Sequence, residues 1–225
     1  MMKNKLHPCC GFVYLEDHHN VDVKGKLVKE DKSFNEITKR LFEQNVTTFN
    51  RYYRYSYMER LHENIFVDER INILKANYDI ESFKQITFIQ SLEHFTLLQA
   101  RILLKKFYHW LTLKGTLIIT VPNIEETIAA ISSMPNLWIF DPGLKDQRSI
   151  DRIPDKNVQR SLFSINKVMS LIYGSYRNKY QVHKWGYTFE SLKQELYFAG
   201  FSEVSRVPLI RHAYPAIEVI AFKGK

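Results

Sequence analysis

Two histidines and a glutamate stand where side chains could move a proton. His94 follows Glu93 directly, after an apolar strand-like segment, and His183 opens the block His183-Lys184-Trp185-Gly186-Tyr187. Because imidazole titrates near neutral pH, either histidine could act as general base toward an alcohol. Each residue also has a purely structural explanation. His94 could be a histidine at a helix start, and His183 a loop histidine that only packs. Glu93 could be an ordinary charge at a helix N-terminus.

A second group of residues has the order expected of a nucleoside site. Leu6-His7-Pro8-Cys9-Cys10-Gly11 passes from a short strand into a turn of small residues, and Asn20-Val21-Asp22 ends another strand in an acid. In a doubly wound sheet such a turn lies under a nucleoside, and such an acid lies beside its ribose hydroxyls. Only small residues let the backbone come that close to a ligand. An ordinary β-turn explains the first block equally well, since it contains one Gly where several are usual.

Strand and helix signals alternate along the chain and predict an α/β fold that positions these residues. Thr96 and Thr188 are N-cap candidates before apolar residues at helical spacing, and Gly200 suits the C′ position of the second helix. Lys114-Gly115 should end the first helix, and Ser33 should start another one that runs to about Gln44. The strand candidates are a short segment at Leu6 and residues 20–23, 71–74, 86–90, 116–121, 203–207 and 217–222.

The composition is that of an ordinary globular chain. Its 225 residues are 45% hydrophobic and 25% charged, and Gly and Pro are few, which excludes collagen-like and Pro-rich disordered proteins. The net charge of +8 is explained either by an acidic partner or by solubility alone. No stretch approaches the roughly 18–20 apolar residues of a membrane span.

The cysteines are Cys9 and Cys10, which are adjacent and therefore poorly placed to bridge each other. A reducing compartment fits this best, so we expect a cytoplasmic protein. We expect a single domain over residues 1–225, with insertions at about 24–64 and 132–182. The doubled Met at the start suggests that Met1 was added to a domain excised from a larger protein.

Two further blocks resemble the class I S-adenosylmethionine-dependent methyltransferases. Phe88–Phe95 is similar to the "hvLEHf" signature, and Leu113–Asn123 to the "LkpGG-L-I-i-vPN" signature, of a branch often found in glycan synthesis. Leu6–Gly11 and Asn20–Asp22 match its "L-N-L-G-C-G" and "N-V-D", and His183–Thr188 matches its "H-K-W-x-Y-(D/T)". The resemblance extends over most of the chain, except for residues 24–64 and 132–180.

The resemblance implies a Rossmann-like sheet of seven strands, mostly parallel with the last strand antiparallel, and helices on both faces. It implies S-adenosyl-L-methionine as cofactor and either His94 or His183 as catalytic base, with Trp185 and Tyr187 binding the acceptor. The implied cofactor-binding residues are His7, Pro8, Cys9, Gly11, Asp22, Asn77, Ser91, Leu92 and Glu93. The chain departs from the family pattern at several positions: Cys9 replaces Gly, Pro8 replaces an aliphatic residue, Asn77 replaces the acid beside the adenine, and Lys114-Gly115 is shorter than Lys-Pro-Gly-Gly.

The branch implies O-methylation of a sugar hydroxyl of a glycan, such as that of the deoxyhexose rhamnose, with glycosyltransferase domains as partners in the same polypeptide. Two alternatives remain. A nucleic-acid methyltransferase is suggested by the +8 charge and by the Tyr- and Arg-rich segment 51–57, which could also be a solvated helix face. Ser91-Leu92-Glu93-His94 argues against it, because base N-methylation commonly uses an Asn/Asp-Pro-Pro-aromatic motif there. A non-catalytic module that lost the cofactor at Cys9 is the other alternative.

Two expectations concern the chemistry around the base. If neither histidine acts, Asp141 or Glu93 could accept the proton. We expect no catalytic metal, because the sequence has no paired Asp cluster and no ligand spacing of the zinc kind.

Overall fold

The computed structural model describes residues 3–31, 33, 34, 36, 65–132, 171–174, 179–207 and 216–224. The helix predicted from Ser33 to about Gln44 lies largely outside these ranges. The Tyr- and Arg-rich segment 51–57 and Asp141 lie wholly outside them.

The strands of the described ranges are β1 (Lys5–Pro8), β2 (His19–Asp22), β3 (Lys26–Leu27), β4 (Phe66–Val67), β5 (Glu69–Arg70), β6 (Phe83–Ile89), β7 (Leu111–Pro122), β8 (Glu203–Val207) and β9 (Ala216–Phe222). The helices are α1 (Leu97–Trp110), α2 (Ile124–Ser132) and α3 (Phe189–Ala199), and a short 3-10 turn spans Leu92–His94. None of the helices in the described ranges is long and apolar enough to cross a membrane.

One seven-stranded sheet has the order β5-β2-β1-β6-β7-β9-β8. Pairing is parallel from β5 to β7, whereas β9 runs antiparallel to β7 and to β8. This confirms the predicted α/β sheet of seven strands with an antiparallel last strand. The chain order reverses between β1 and β6, and ligands of open α/β sheets bind beyond the carboxyl ends of the strands at such a point.

Helices α1 and α3 pack against each other and cover β7 and β8. Both begin as predicted, because the Thr96 and Thr188 side chains accept hydrogen bonds from backbone amides three residues later. Helix α3 ends at Gly200 in the left-handed conformation (φ 115°), and the amide of Phe201 donates to the carbonyl of Leu196 over 3.1 Å. This is the predicted Schellman ending.

Two predicted element bounds are wrong. Residues 71–74 form a turn that follows the two-residue strand β5, because the Asn72 side chain and carbonyl accept backbone amides of Leu74 and Lys75. Helix α1 does not reach Lys114-Gly115 but ends at Trp110, and β7 begins at Leu111. Residues 112–115 bulge out of that strand, since Phe83 pairs with Leu111 and Gln85 already pairs with Thr116.

The connection between β1 and β2, residues 9–18, consists of turns without a helix. The Asn20 side chain takes over the backbone bonding that a helix would provide. Its Oδ1 accepts the amide of Leu15 at 2.9 Å, and its Nδ2 donates to the carbonyls of Leu15 and His18. Since the turn after β1 does not lead into a helix, no helix N-terminus offers its dipole there.

Candidate functional site

A cavity of about 400 Å³ opens at the switch point, beyond the carboxyl ends of β1, β2, β5 and β6. That volume lies within the range of small-molecule sites. Several of the predicted site residues line it: Cys9, Gly11, Asp22, Ser91 and His94. Residues that the sequence analysis missed line it too, among them Asn72, Gln90, Gln99, Tyr180, Gln181 and Lys184.

The turn after β1 and the end of β2 form one wall of the cavity. The amide of Gly11 donates to Oδ2 of Asp22 over 3.0 Å. Oδ1 of Asp22 has no hydrogen-bond partner within the described part of the chain, and the residue lines the cavity. An acid in this position can accept hydrogen bonds from vicinal hydroxyls of a ribose, as the sequence analysis expected.

Cys9 lies in this wall with φ 53°, a left-handed conformation that Gly adopts without strain. That is the physical reason why a Gly is usual at this position of the pattern. Burial, followed by the nearby charges of Asp22 and Glu93, raises the pKa of the Cys9 thiol. The thiol is therefore protonated at neutral pH and is not a nucleophile. Both cysteines are free thiols.

The wall that follows β5 carries Asn72, Ile73 and Leu74. Asn77, the residue expected beside the adenine, is exposed and is not among the residues that line the cavity. Asn72 lies nearer to the end of β5, so its amide group is the better candidate for a polar contact to a base. A strand of two residues is too short to mark this position in the sequence.

His7, Pro8 and Leu92 lie under the cavity rather than at its surface. His7 is fully buried and its Nδ1 lies 3.0 Å from Oδ1 of Asn20. Burial lowers the pKa of His7 to about 3, so its ring is neutral at physiological pH. Pro8 and Leu92 are buried as well. The structure therefore gives these three residues a supporting position, without contact to the cavity.

The 3-10 turn after β6 brings Glu93 and His94 close to His183. The two imidazole centroids are 4.9 Å apart, and Nε2 of His183 lies 4.0 Å from Oε1 of Glu93. Backbone bonds fix this contact, since the carbonyl of Glu93 accepts the amides of Lys184 at 2.7 Å and Trp185 at 3.3 Å. Of the three side chains, His94 lines the cavity.

The electrostatics of this cluster follow from burial. Glu93 is 2% exposed, and desolvation raises the pKa of its carboxyl to about 8. Burial, followed by His183, lowers the pKa of His94 to about 4, and burial lowers the pKa of His183 as well. Both rings are neutral at pH 7 and can accept a proton or bind a cation.

The predicted acceptor residues occupy different environments. Trp185 is 43% exposed, whereas Tyr187 is buried and its hydroxyl has no hydrogen-bond partner among the described residues. Tyr187 is tied to the end of β7, since its carbonyl accepts the amide of Ile124 over 3.0 Å. Burial, followed by the charge of Glu93, raises the pKa of its hydroxyl. Neither residue lines the cavity.

Comparisons with known proteins give structural likeness only. No family model matches the chain, and no curated protein matches it. The chain is similar to 1,6-didemethyltoxoflavin-N1-methyltransferase of Burkholderia thailandensis, with 13% identity over 100% of this chain and 72% of that one, at a TM-score of 0.48. It is similar to human N-acetylserotonin methyltransferase, with 14% identity over 76% of this chain and 36% of that one, at a TM-score of 0.40. It is also similar to the S-adenosylmethionine-dependent methyltransferase SibL, with 13% identity over 100% of this chain and 51% of that one, at a TM-score of 0.49. The chain thus spans between about a third and three quarters of the length of these proteins.

Proposed function

We propose that this chain is an S-adenosylmethionine-dependent methyltransferase. One observation carries the proposal: the Cys9–Gly11 turn, Asp22, Ser91 and His94 line one cavity at the switch point of the sheet. The first two suit a nucleoside with free ribose hydroxyls. The last supplies neutral imidazole beside it, which suits a transfer to an acceptor that must lose a proton.

The same wall argues against a dinucleotide as the ligand. Dinucleotide sites of doubly wound sheets place a pyrophosphate at the N-terminus of the helix that follows the first strand. Here residues 9–18 contain no helix, and the amide of Gly11 is already bonded to Asp22. The negative charge of Asp22 would also oppose a phosphate at this point. A nucleoside that carries a sulfonium instead of a phosphate fits this wall better.

We infer further that the acceptor is a sugar hydroxyl of a glycan, such as that of a deoxyhexose. The cavity is also lined by neutral hydrogen-bonding side chains, Gln90, Gln99, Gln181 and Tyr180, and by the basic side chain of Lys184. Such groups suit a polyhydroxylated acceptor. His94 is the first candidate for the base because it lines the cavity, and His183 is the second because it contacts His94.

The cofactor is tested by titrating the purified protein with S-adenosylhomocysteine in a calorimeter. Saturable binding of one molecule per chain is expected. Absence of binding by a folded protein would refute the methyltransferase proposal and favour a module that lost its cofactor at Cys9.

The acceptor is tested separately, by incubating the protein with labelled S-adenosylmethionine and panels of deoxyhexose glycans, RNA and DNA. Label on the glycans alone supports the proposed acceptor. Label on nucleic acid, together with binding that weakens steeply with salt, would favour the nucleic-acid alternative.

A further inference from the structure

We propose that Glu93, His94 and His183 bind a divalent transition-metal ion, with zinc as the best match. The three residues each offer one ligand atom, and these atoms lie within 4.8 Å of one another. In a tetrahedral zinc site with bonds of about 2.0 Å, neighbouring ligand atoms lie about 3.3 Å apart. The widest of these separations would need to shrink by about 1.5 Å, which side-chain rotations allow.

The hydrogen bonds of the two imidazole rings use Nδ1 and leave Nε2 of each ring able to bind a metal. Nδ1 of His94 lies 3.2 Å from the carbonyl of Val182, and Nδ1 of His183 lies 2.8 Å from the carbonyl of Leu171. A carbonyl can only accept, so both Nδ1 atoms carry the proton and both Nε2 atoms present a lone pair. Histidine ligands of metals are commonly oriented by such a bond from the other nitrogen.

Oε2 of Glu93 is buried without a hydrogen-bond partner in the described ranges, and Oε1 faces the Nε2 of His183 at 4.0 Å. Three acceptors therefore converge where each would need a proton or a cation. A proton on Glu93, whose carboxyl pKa is raised to about 8, satisfies at most one of the two ring nitrogens and leaves the other without a partner in the cluster. One divalent ion would satisfy the three acceptors together and offset the desolvation of the carboxylate.

Two imidazoles and one carboxylate select the kind of ion. This set suits zinc and other first-row transition metals, whereas magnesium prefers oxygen ligands. Three protein ligands also leave a coordination position for water or for a hydroxyl of a bound molecule. Since His94 lines the cavity, that position is accessible from it. The proposal stands without methyl transfer, because metal binding is measured on its own.

The test uses the whole chain after treatment with EDTA and gel filtration. Calorimetry with ZnCl₂ and visible absorption with CoCl₂ should each show one ion per chain, and the cobalt spectrum should be tetrahedral. The variants Glu93→Gln, His94→Ala and His183→Ala should each weaken binding by at least about 10–100-fold, the loss that outer-shell partners alone produce. His109→Ala, at the exposed end of α1, should bind the ion as the wild type does.

Two results would overturn the proposal. One is a wild-type chain that binds neither ion. The other is a set of folded cluster variants that bind the ion as tightly as the wild type does. Circular dichroism monitors folding, and His183→Gln and Glu93→Asp replace any variant that fails to fold. Zinc should also raise the Tm of the wild type but not that of the cluster variants.

Discussion

The backbone amide of Gly11 donates a hydrogen bond to Oδ2 of Asp22 over 3.0 Å, which joins the turn after β1 to the end of β2. Asp22 therefore has two tasks, since one oxygen supports the turn while the residue also lines the cavity. A substitution that removes the whole side chain disturbs both. A substitution that keeps one acceptor oxygen separates them.

Asp22→Asn should weaken binding of S-adenosylhomocysteine by about 1–3 kcal/mol, because a charged acceptor is lost while an amide oxygen can still accept the Gly11 amide. Asp22→Ala should weaken it at least as much and also lower the Tm. Calorimetry measures the first effect and thermal melting the second. Asp79→Asn, on an exposed turn, is the matched control. Unchanged affinity in both Asp22 variants would place the cofactor in another pocket.

A methyl group added at Gly11 should obstruct the ligand rather than the protein. A Cβ built there meets nothing within 4 Å, although φ is +54°. Gly11→Ala should therefore cost about 1–2 kcal/mol of folding stability, from the left-handed backbone, and stay folded. The same Gly11→Ala variant should bind S-adenosylhomocysteine much more weakly than the wild type does. Gly11→Val should abolish this binding.

Gly200→Ala is the control for a loss of stability that leaves the cavity wall unchanged. Gly200 also has a positive φ (+115°), and its added Cβ would approach the Tyr108 ring at 3.0 Å; neither residue lines the cavity. This variant should lose stability but bind S-adenosylhomocysteine normally. If Gly11→Ala binds as well as Gly200→Ala does, the turn after β1 does not touch the cofactor.

Cys9→Gly should be tolerated. The substitution relieves the left-handed strain of Cys9 but adds backbone freedom to the unfolded chain, and these effects nearly cancel. We expect a free energy of unfolding within about 1 kcal/mol of the wild type in urea titrations. S-Adenosylhomocysteine should bind equally well or more tightly, since the side chain leaves the cavity wall. A complete loss of methyl transfer would instead assign the thiol a role in the reaction.

Sequence reasoning predicted the parts of the fold that local signals specify. Thr188 and Gly200 bound helix α3 as expected, because caps act within a few residues of the chain. Strand β5 was misplaced because Glu69 and Arg70 become a strand only by pairing with β2. The cavity contact of Asn72 was missed for the same reason.

The sequence predicted those residues of the candidate site that lie at the ends of recognisable strands. Cys9, Gly11 and Asp22 were predicted together, and line one cavity, because they lie at or just beyond the ends of the recognisable strands β1 and β2. The contact between Glu93 and His183 could not be found, because it joins residues far apart in the sequence through the backbone bonds of Lys184. For that reason the expectation of no metal, drawn from sequence spacing, did not address this cluster.

Acid should destabilise the protein through His7. Burial lowers the pKa of His7 to about 3, against about 6.5 in an unfolded chain. Below pH 6.5 the unfolded state binds a proton that the folded state does not, so folding stability is full above that pH and falls by about 1.4 kcal/mol per pH unit. Urea titrations should show a loss of about 2 kcal/mol from this group between pH 7.5 and pH 5. Proton NMR checks the assignment, since a His7 ring that titrates with a midpoint near pH 6.5 would contradict it.

The last prediction separates a single catalytic base from a cluster that acts as a unit. If His94 is the base, His94→Ala should lower kcat by about 10²-fold or more, because general base catalysis is lost, while affinity for S-adenosylhomocysteine stays unchanged. His183→Ala should then act mainly on KM for the acceptor.

If instead a bound metal ion activates the acceptor, then Glu93→Gln, His94→Ala and His183→Ala should lower kcat together, and zinc should restore activity only to the wild type. Steady-state kinetics with EDTA-treated and zinc-loaded protein distinguishes the two, since one Nε2 lone pair cannot bind a metal and accept a proton at once. A wild-type kcat in all three variants would rule out both roles and leave positioning of the acceptor as the main source of the rate.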